Sequence, residues 1–289
     1  MVIVGFRNSR TLRECLASII EHEKGETASI TVVENGGIPL PSQLKEDFPD
    51  VFWIENRKNA GFAAGCNQGM SRGRAPFICL LNPDAVISAP MFSRAAAFFE
   101  AEGDIAVTGP LILDRDGSVQ GSARAFPSIL TSFFGRSALL SRLFPSNRMT
   151  RANVLNLDKD SLSEPSRPDW VSGACMLVRR KAVEETGGLD EGFFIYWEDA
   201  DWCRRFRQAG WEVAYHPGLG PVRHECGASS SQKALFAAFH FHRSAVRLYW
   251  KYDTSPLKLM SAIVLAGASA RFLLLSLVII LTKKAERQD

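Results

Sequence analysis

The sequence predicts an α/β layered fold built on a largely parallel sheet. Strand-like apolar runs alternate with helical patterns through the first hundred residues, which is the signature of such a fold. Polar, Gly-containing clusters follow several of those strands, all at the same end. The 289 residues, 46% of them hydrophobic, also provide enough chain for a substantial core.

The elements follow in order. Residues 2–6 read as a buried first strand, and no basic segment with an apolar stretch and cleavage site precedes them, so no signal peptide is expected. Helical periodicity covers 11–23, then strands are predicted at 30–34 and 51–54. A helix at 61–72, a strand at 77–81, a helix at 90–102 and a strand at 105–108 complete the alternation. Residues 114–168 break it, being rich in Ser, Arg, Asn and Pro, and a long irregular segment of this kind reads as a lid or binding insert. Order returns at 170–179 with a short helix after it, then a helix starting near Asp199 and a strand at 211–216. Beyond His224 the chain reads as helical in two pieces, split near Ser255-Pro256.

Composition narrows the class. The net charge of +3 is too small to argue for nucleic acid, and six cysteines without a CxxC pair fit reduced thiols better than a disulfide framework. The charge is unevenly spread: residues 223–289 hold ten Lys/Arg against four Asp/Glu, a balance of +6 that leaves −3 on the body.

In open α/β sheets, ligands bind at the carboxyl ends of the strands. Gly5-Phe6-Arg7-Asn8, Glu34-Asn35-Gly36-Gly37 and Asn82-Pro83-Asp84 all fall there and together describe a nucleotide crevice. Any one of them alone would be an ordinary strand end. Neither GxGxxG nor GxxxxGK[ST] occurs. The run from Asn59 to Gly69 either brings backbone close to a ligand, with Asn67 one turn into the helix, or packs a small-residue helix tightly on the sheet. Asp84 suits a hard cation, Mg²⁺ or Mn²⁺, that carries a pyrophosphate, and His224 is the best-placed histidine for a second ligand, although a lone His is often structural. The segment 188–205 gathers carboxylates and aromatics before a helix. Glu198, Asp199 and Asp201 complement a helix N-terminus, yet acids beside rings also suit a sugar, with one acid as general base.

The ordered set of pieces resembles family 2 glycosyltransferases of the GT-A fold, especially the bacterial rhamnosyltransferase-like branch. They are residues 2–8, 32–36, 59–62, 81–84, 171–177, 193–205 and 224–229. That resemblance implies a Rossmann-like α/β/α sandwich over 1–230 and an inverting transfer from a nucleotide-diphosphate sugar, with deoxythymidine-diphosphate rhamnose as the donor of the branch. It implies Val4, Gly5, Phe6, Glu34 and Asn35 around the base and ribose, and Asn59, Asn67 and Asn82 complete the expected nucleotide set. Asp84 and His224 would hold a divalent cation, Asp199 with Glu198 would be catalytic, and Gly173, Ala174, Tyr196 and Trp197 would meet the donor sugar and acceptor. Two departures stand out: the acid after the second strand is Glu34, one methylene longer than usual, and the first acid of the Asp-x-Asp metal motif is Asn82. A catalytically silent domain of the same fold, serving as a membrane-bound assembly partner, is the alternative that Asn82 raises. A nucleotidyltransferase would want a Gly-rich basic loop near the N-terminus, which is missing.

The tail, residues 231–289, alternates aromatic and basic residues and then runs apolar over 260–281. Twelve Leu, Ile, Val or Phe side chains favour insertion, but Arg271 near the centre costs about 2.5–3.5 kcal/mol, so in-plane attachment is expected over a span. The expected seat is the cytoplasmic face of a bacterial inner membrane, with a lipid-linked or oligosaccharide acceptor and no nucleic acid partner.

Overall fold

The computed structural model describes residues 1–23, 29–126, 164–225 and 234–285, with the side chains of the last helix through residue 277. Its strands are β1 (Val2–Gly5), β2 (Ile30–Glu34), β3 (Val51–Glu55), β4 (Phe77–Leu81), β5 (Ala85–Ile87) and β6 (Ile105–Gly109). After these come β7 (Ile112–Leu113), β8 (Ala123–Arg124), β9 (Trp170–Val171), β10 (Cys175–Arg179), β11 (Glu212–Tyr215) and β12 (Val222–His224). The helices are α1 (Ser9–His22), α2 (Ser42–Asp47), α3 (Phe62–Arg72), α4 (Phe92–Ala101), α5 (Arg180–Thr186), α6 (Glu198–Gln208), α7 (Ala234–Tyr252) and α8 (Leu259–Ala285).

Seven strands form the central sheet in the order β11-β6-β10-β4-β1-β2-β3. The pairs β1–β2, β1–β4, β2–β3 and β6–β11 are parallel, whereas β10 runs antiparallel to both β4 and β6. The expected mostly parallel sheet is therefore present, with one reversed strand set into it. Alternate side chains feed opposite faces: Val2 and Val4 join one core with α3 and α6, while Ile3 joins the other with Leu12 and Leu16 of α1 and Phe99 of α4. Burial on both faces explains why the central strands read as unbroken apolar runs.

Helix α3 lies unusually close to β1. A Cβ on Gly65 would come within 2.8 Å of Val4 Cγ1, and one on Gly69 would collide with Val2 Cγ1. Tight packing is thus the use of these two glycines, and the nearby polar residues do the linking described below.

Four short strands were not legible as periodic runs. A small sheet in the order β5-β12-β7 sits beside the main one, and β8 pairs with β9. The stretch predicted as one ordered run at 170–179 is two strands broken by a turn at 172–174. Of the irregular segment 114–168, residues 127–163, and with them most of the expected lid, lie outside the described residues.

The tail divides where expected, with a short 3₁₀ turn at Pro256–Lys258 between α7 and α8. Its two halves differ. α7 packs on the 190–201 segment, whereas α8 leaves Leu273 and Leu274 about two-thirds exposed (67% and 66%). The stretch Pro256–Leu277 is long and apolar enough to cross a membrane, and of its residues only Ser261 and Val264 are buried in the fold.

Gly69→Val tests the α3–β1 contact. The added Cβ already collides with the buried β-branched Val2, so overpacking is expected to lower stability by about 1–3 kcal/mol, read from urea unfolding.

Candidate active site

The carboxyl ends of β1 and β2 form the first part of the site. Glu34 is buried, and its Oε1 accepts hydrogen bonds from the backbone N–H of Arg7 (3.0 Å) and Gly36 (2.6 Å). Its Oε2 is buried without a partner among the described residues. Burial raises the Glu34 pKa, against the lowering effect of those two N–H donors. Gly5 makes the room, since a Cβ there would lie 2.9 Å from Oε2. Arg7 adopts φ 55°, and its Nε donates to Gly36 O at 2.7 Å, so the β1 and β2 turns are locked together. Val4 is buried against Gly65, while Phe6 is partly exposed with the Arg7 guanidinium 5.4 Å from its ring.

Asn35 extends this edge. Its Nδ2 donates to Gly61 O (2.8 Å) and its Oδ1 accepts from Asn56 Nδ2 (2.7 Å), while Asn59 Oδ1 accepts from the Gly61 N–H. Gly61 takes φ 92°, which lets the next N–H, on Phe62, reach Phe194 O at 2.7 Å. Asn67, further along α3, reaches the 188–197 segment. Its Oδ1 accepts from Leu189 N, and its Nδ2 donates to Leu189 O and Glu191 Oε1, all at 2.9 Å. The start of α3 therefore fastens the nucleotide edge to the 188–197 segment.

The second part comes from β4 and the small sheet. Antiparallel pairing sets His224 opposite Ala85, so Asp84 and His224 converge although 140 positions separate them in the chain. His224 Nε2 lies 3.3 Å from Asp84 Oδ1 and 3.0 Å from Asn82 Nδ2. Gln120, which sequence reasoning missed, contacts the other ring nitrogen at 3.0 Å. Among the described residues no cluster of three His, Cys, Asp or Glu side chains forms. One carboxylate and one imidazole nevertheless suit a hard cation that keeps waters and takes donor phosphate oxygens.

The third part is the start of α6. Asp199 Oδ2 accepts the Gly173 N–H (2.9 Å) and Oδ1 accepts the Ala200 N–H (2.8 Å). Burial raises its pKa, opposed by these donors and by the positive charge of Arg124, a second residue the sequence reading missed. Glu198 is driven up further, by burial and then by the neighbouring Asp199 charge, and its Oε2 is buried without a partner among the described residues. Both effects favour the neutral form of Glu198. The turn that carries Gly173 also bonds to the second part, because the Asn82 N–H donates to Ala174 O at 3.0 Å.

Tyr196 (φ 70°) and Trp197 (φ 69°) enter α6 in the left-handed region, a conformation worth about 1–3 kcal/mol of strain at each non-glycine residue. Helix α7 holds them. Phe241 packs against Tyr196 (5.8 Å between centroids) and Trp197 (5.4 Å), and Ser244 Oγ donates to Ile195 O at 2.9 Å. Lys251 Nζ lies 2.8 Å from Asp190 and 2.7 Å from the fully buried Asp201. Asp201 also receives the Tyr252 hydroxyl (2.8 Å) and Arg205 Nε (2.9 Å). Burial alone would raise the Asp190 carboxyl, but Lys251, the Gly192 N–H and Arg247 hold it at about 2.

The structure thus links Asn35 and Asn59 at Gly61, next to Glu34, and joins Asn82, Asp84, His224, Gly173, Ala174 and Asp199 into a second set. The family model described as "Glycosyltransferase like family 2" matches residues 1–243. Over 232 residues the chain is 32% identical to the N-acetylglucosaminyl-diphospho-decaprenol L-rhamnosyltransferase of Mycobacterium tuberculosis (strain CDC 1551 / Oshkosh), covering 75% of this chain and 72% of that protein. The mannosyltransferase PcManGT of Pyrobaculum calidifontis, solved with GDP-Man and Mn²⁺, superposes with a TM-score of 0.57 at 14% identity, covering 100% of this chain and 79% of that one. GalNAc-T7, solved with UDP, GalNAc and Mn²⁺, gives 0.55 at 18% identity; the match covers 78% of this chain and 42% of the longer GalNAc-T7 chain. These two likenesses establish the GT-A architecture.

The Asp190 anchor has a pH signature. Its folded pKa of about 2 lies below the ordinary value of about 3.9, so its stabilisation is complete above pH ~4 and fades as pH falls toward ~2. Asp190→Asn is expected to lower stability at neutral pH and to flatten the acid limb of a stability–pH curve measured by urea unfolding.

Proposed function

The chain belongs to the family 2-like glycosyltransferases, and we propose that it moves a sugar from a nucleotide-diphosphate donor to an acceptor hydroxyl with inversion. The acceptor is a lipid-linked or saccharide chain in surface polysaccharide synthesis, in keeping with the mycobacterial relative's name as a diphospho-decaprenol rhamnosyltransferase. The observation that carries this reading is the 172–174 turn, which ties the general-base candidate Asp199 to the phosphate-side residue Asn82.

In this reading Glu34, with its free Oε2, and Asn35 receive the nucleoside, with Gly5 and Phe6 beside them. Asp84 and His224 would hold a divalent cation, Mn²⁺ or Mg²⁺, whose charge offsets that on the leaving diphosphate. Turning the Asn82 amide over exchanges Nδ2 for Oδ1 and adds a neutral oxygen donor to that pair. Gly173 and Ala174 present backbone without bulk under the donor sugar. Asp199 takes the acceptor proton at a carboxylate oxygen that its low-dielectric site leaves more basic than an exposed aspartate, while its two N–H partners fix its direction. Tyr196 and Trp197 wall the acceptor side. Burial and the neighbouring Asp199 charge favour the protonated form of Glu198, so in this reading it is not the proton acceptor.

The tail suits a membrane surface. Exposed Phe236, Phe239 and Trp250 share α7 with the exposed Arg243, and α8 exposes Leu273, Leu274 and Leu277. Aromatic side chains fit the headgroup layer and each cation near anionic lipid contributes about 1 kcal/mol. We infer in-plane attachment at the cytoplasmic face. The silent-domain reading loses its ground, since the base block is complete and oriented.

Asp199→Asn is expected to leave donor binding intact and lower kcat by about 10²–10⁴, whereas Glu198→Gln, an isostere of the neutral acid, stays within about tenfold of wild type. Nucleoside diphosphate release with a lipid-linked acceptor measures both, and full turnover by Asp199→Asn would remove the base assignment. Because burial raises the Asp199 pKa and only the ionised form accepts a proton, the acid limb of kcat is expected above the ordinary aspartate range. Flotation is expected to show binding to phosphatidylglycerol vesicles that weakens with salt and is lower on phosphatidylcholine.

A further inference from the structure

The contacts around Gln120 determine which nitrogen of His224 carries its proton. Gln120 is buried, and its Nε2 lies 2.7 Å from His224 O and 2.6 Å from Asp114 Oδ1. A backbone carbonyl and a carboxylate only accept, so both demand the amide NH₂, and the amide orientation is fixed. Oε1 must then face His224 Nδ1, 3.0 Å away. An amide oxygen cannot donate, so Nδ1 is the protonated nitrogen. In the neutral ring Nε2 is left as a bare lone pair, 3.0 Å from the Asn82 amide nitrogen and 3.3 Å from Asp84 Oδ1.

We propose that Gln120 is a positioning residue that fixes His224 as the Nδ1–H tautomer, aiming its Nε2 lone pair at Asp84 and Asn82. Gln120 is itself held by the β7 side of the small sheet, where its N–H donates to Ile112 O at 2.9 Å. Asp114 sits on the same turn and its backbone N–H bonds to Ser118 O at 2.7 Å. The Asp114 carboxylate, the Gln120 amide and the His224 imidazole thus form one hydrogen-bonded row that ends at the Asn82 amide, with Asp84 Oδ1 beside the Nε2 lone pair. Second-sphere partners of this kind set ring orientation and ligand basicity, and their loss costs metal affinity about 10–100-fold. The functional half of the inference rests on the reading of Asp84 and His224 as the cation pair; the tautomer does not.

Long-range ¹H–¹⁵N correlation of the metal-free protein at pH 8 reads the tautomer, with His224→Ala assigning the signal. The Nδ1–H form is expected in wild type, and an Nε2–H form would overturn the proposal whether or not any variant folds. Mn²⁺ titrated by electron paramagnetic resonance, alone and with saturating deoxythymidine diphosphate, gives the second readout. Gln120→Leu is expected to lose the single tautomer and to weaken Mn²⁺ about 10–100-fold, with its thermal melt confirming the fold. Retention of both by Gln120→Leu would overturn the positioning role while leaving the cation pair intact. Mn²⁺ binding by His224→Ala at wild-type strength would instead overturn the cation pair and the functional half of the inference with it.

Discussion

The site depends on one constraint: β10 must run against β4 with Cys175 opposite Leu81. That register carries the 172–174 turn just past the end of β4, where Ala174 O takes the Asn82 N–H and the Gly173 N–H reaches Asp199. The residues proposed for nucleotide and acceptor come from segments far apart in the chain, and this turn is one of the places where they are joined. A two-residue slip would carry the turn about 7 Å along the sheet, further than a hydrogen bond spans.

Two further joints keep the parts in place. The start of α3 binds Asn35 on one side and Phe194 on the other, so the nucleotide edge and the acceptor segment share a helix end. Helix α7 supports the strained Tyr196-Trp197 pair through Phe241 and Ser244, and grips Asp201 through Lys251 and Tyr252. The same helix presents aromatic and basic side chains outward, so one element both supports the site and carries the surface proposed to meet lipid.

The pKa pattern follows the division of labour. Asp190, matched with Lys251 and Arg247, is held low and works as an anchor, while Asp199 and Glu198, beside one another in a buried place, are pushed up. Two acids pressed together in low dielectric do not share the ionised state equally. Asp199 has the N–H donors and Arg124 to favour its charge; Glu198 has burial and a negative neighbour.

By itself the sequence determined the alternation of strands and helices, the polar strand ends, the split of the tail at Ser255-Pro256 and the residues of the base block, because each is written in local periodicity or in a contiguous motif. Ile30–Glu34 and Phe77–Leu81 are found at the predicted bounds. Strands of two or three residues, such as β5, β7 and β12, carry no readable period, and they are what bring His224 to Asp84. Gln120, Arg124 and the α7 supports were equally illegible, since a lone Gln, Arg or Lys carries no local signal and gains its role only from a partner far along the chain. Asn67 joins α3 to the 188–197 segment through Leu189 and Glu191, a pairing no local stretch of chain announces. Only the tertiary structure decided which residues meet, because strand register and helix docking are set by packing over the whole sheet rather than by any one stretch of chain.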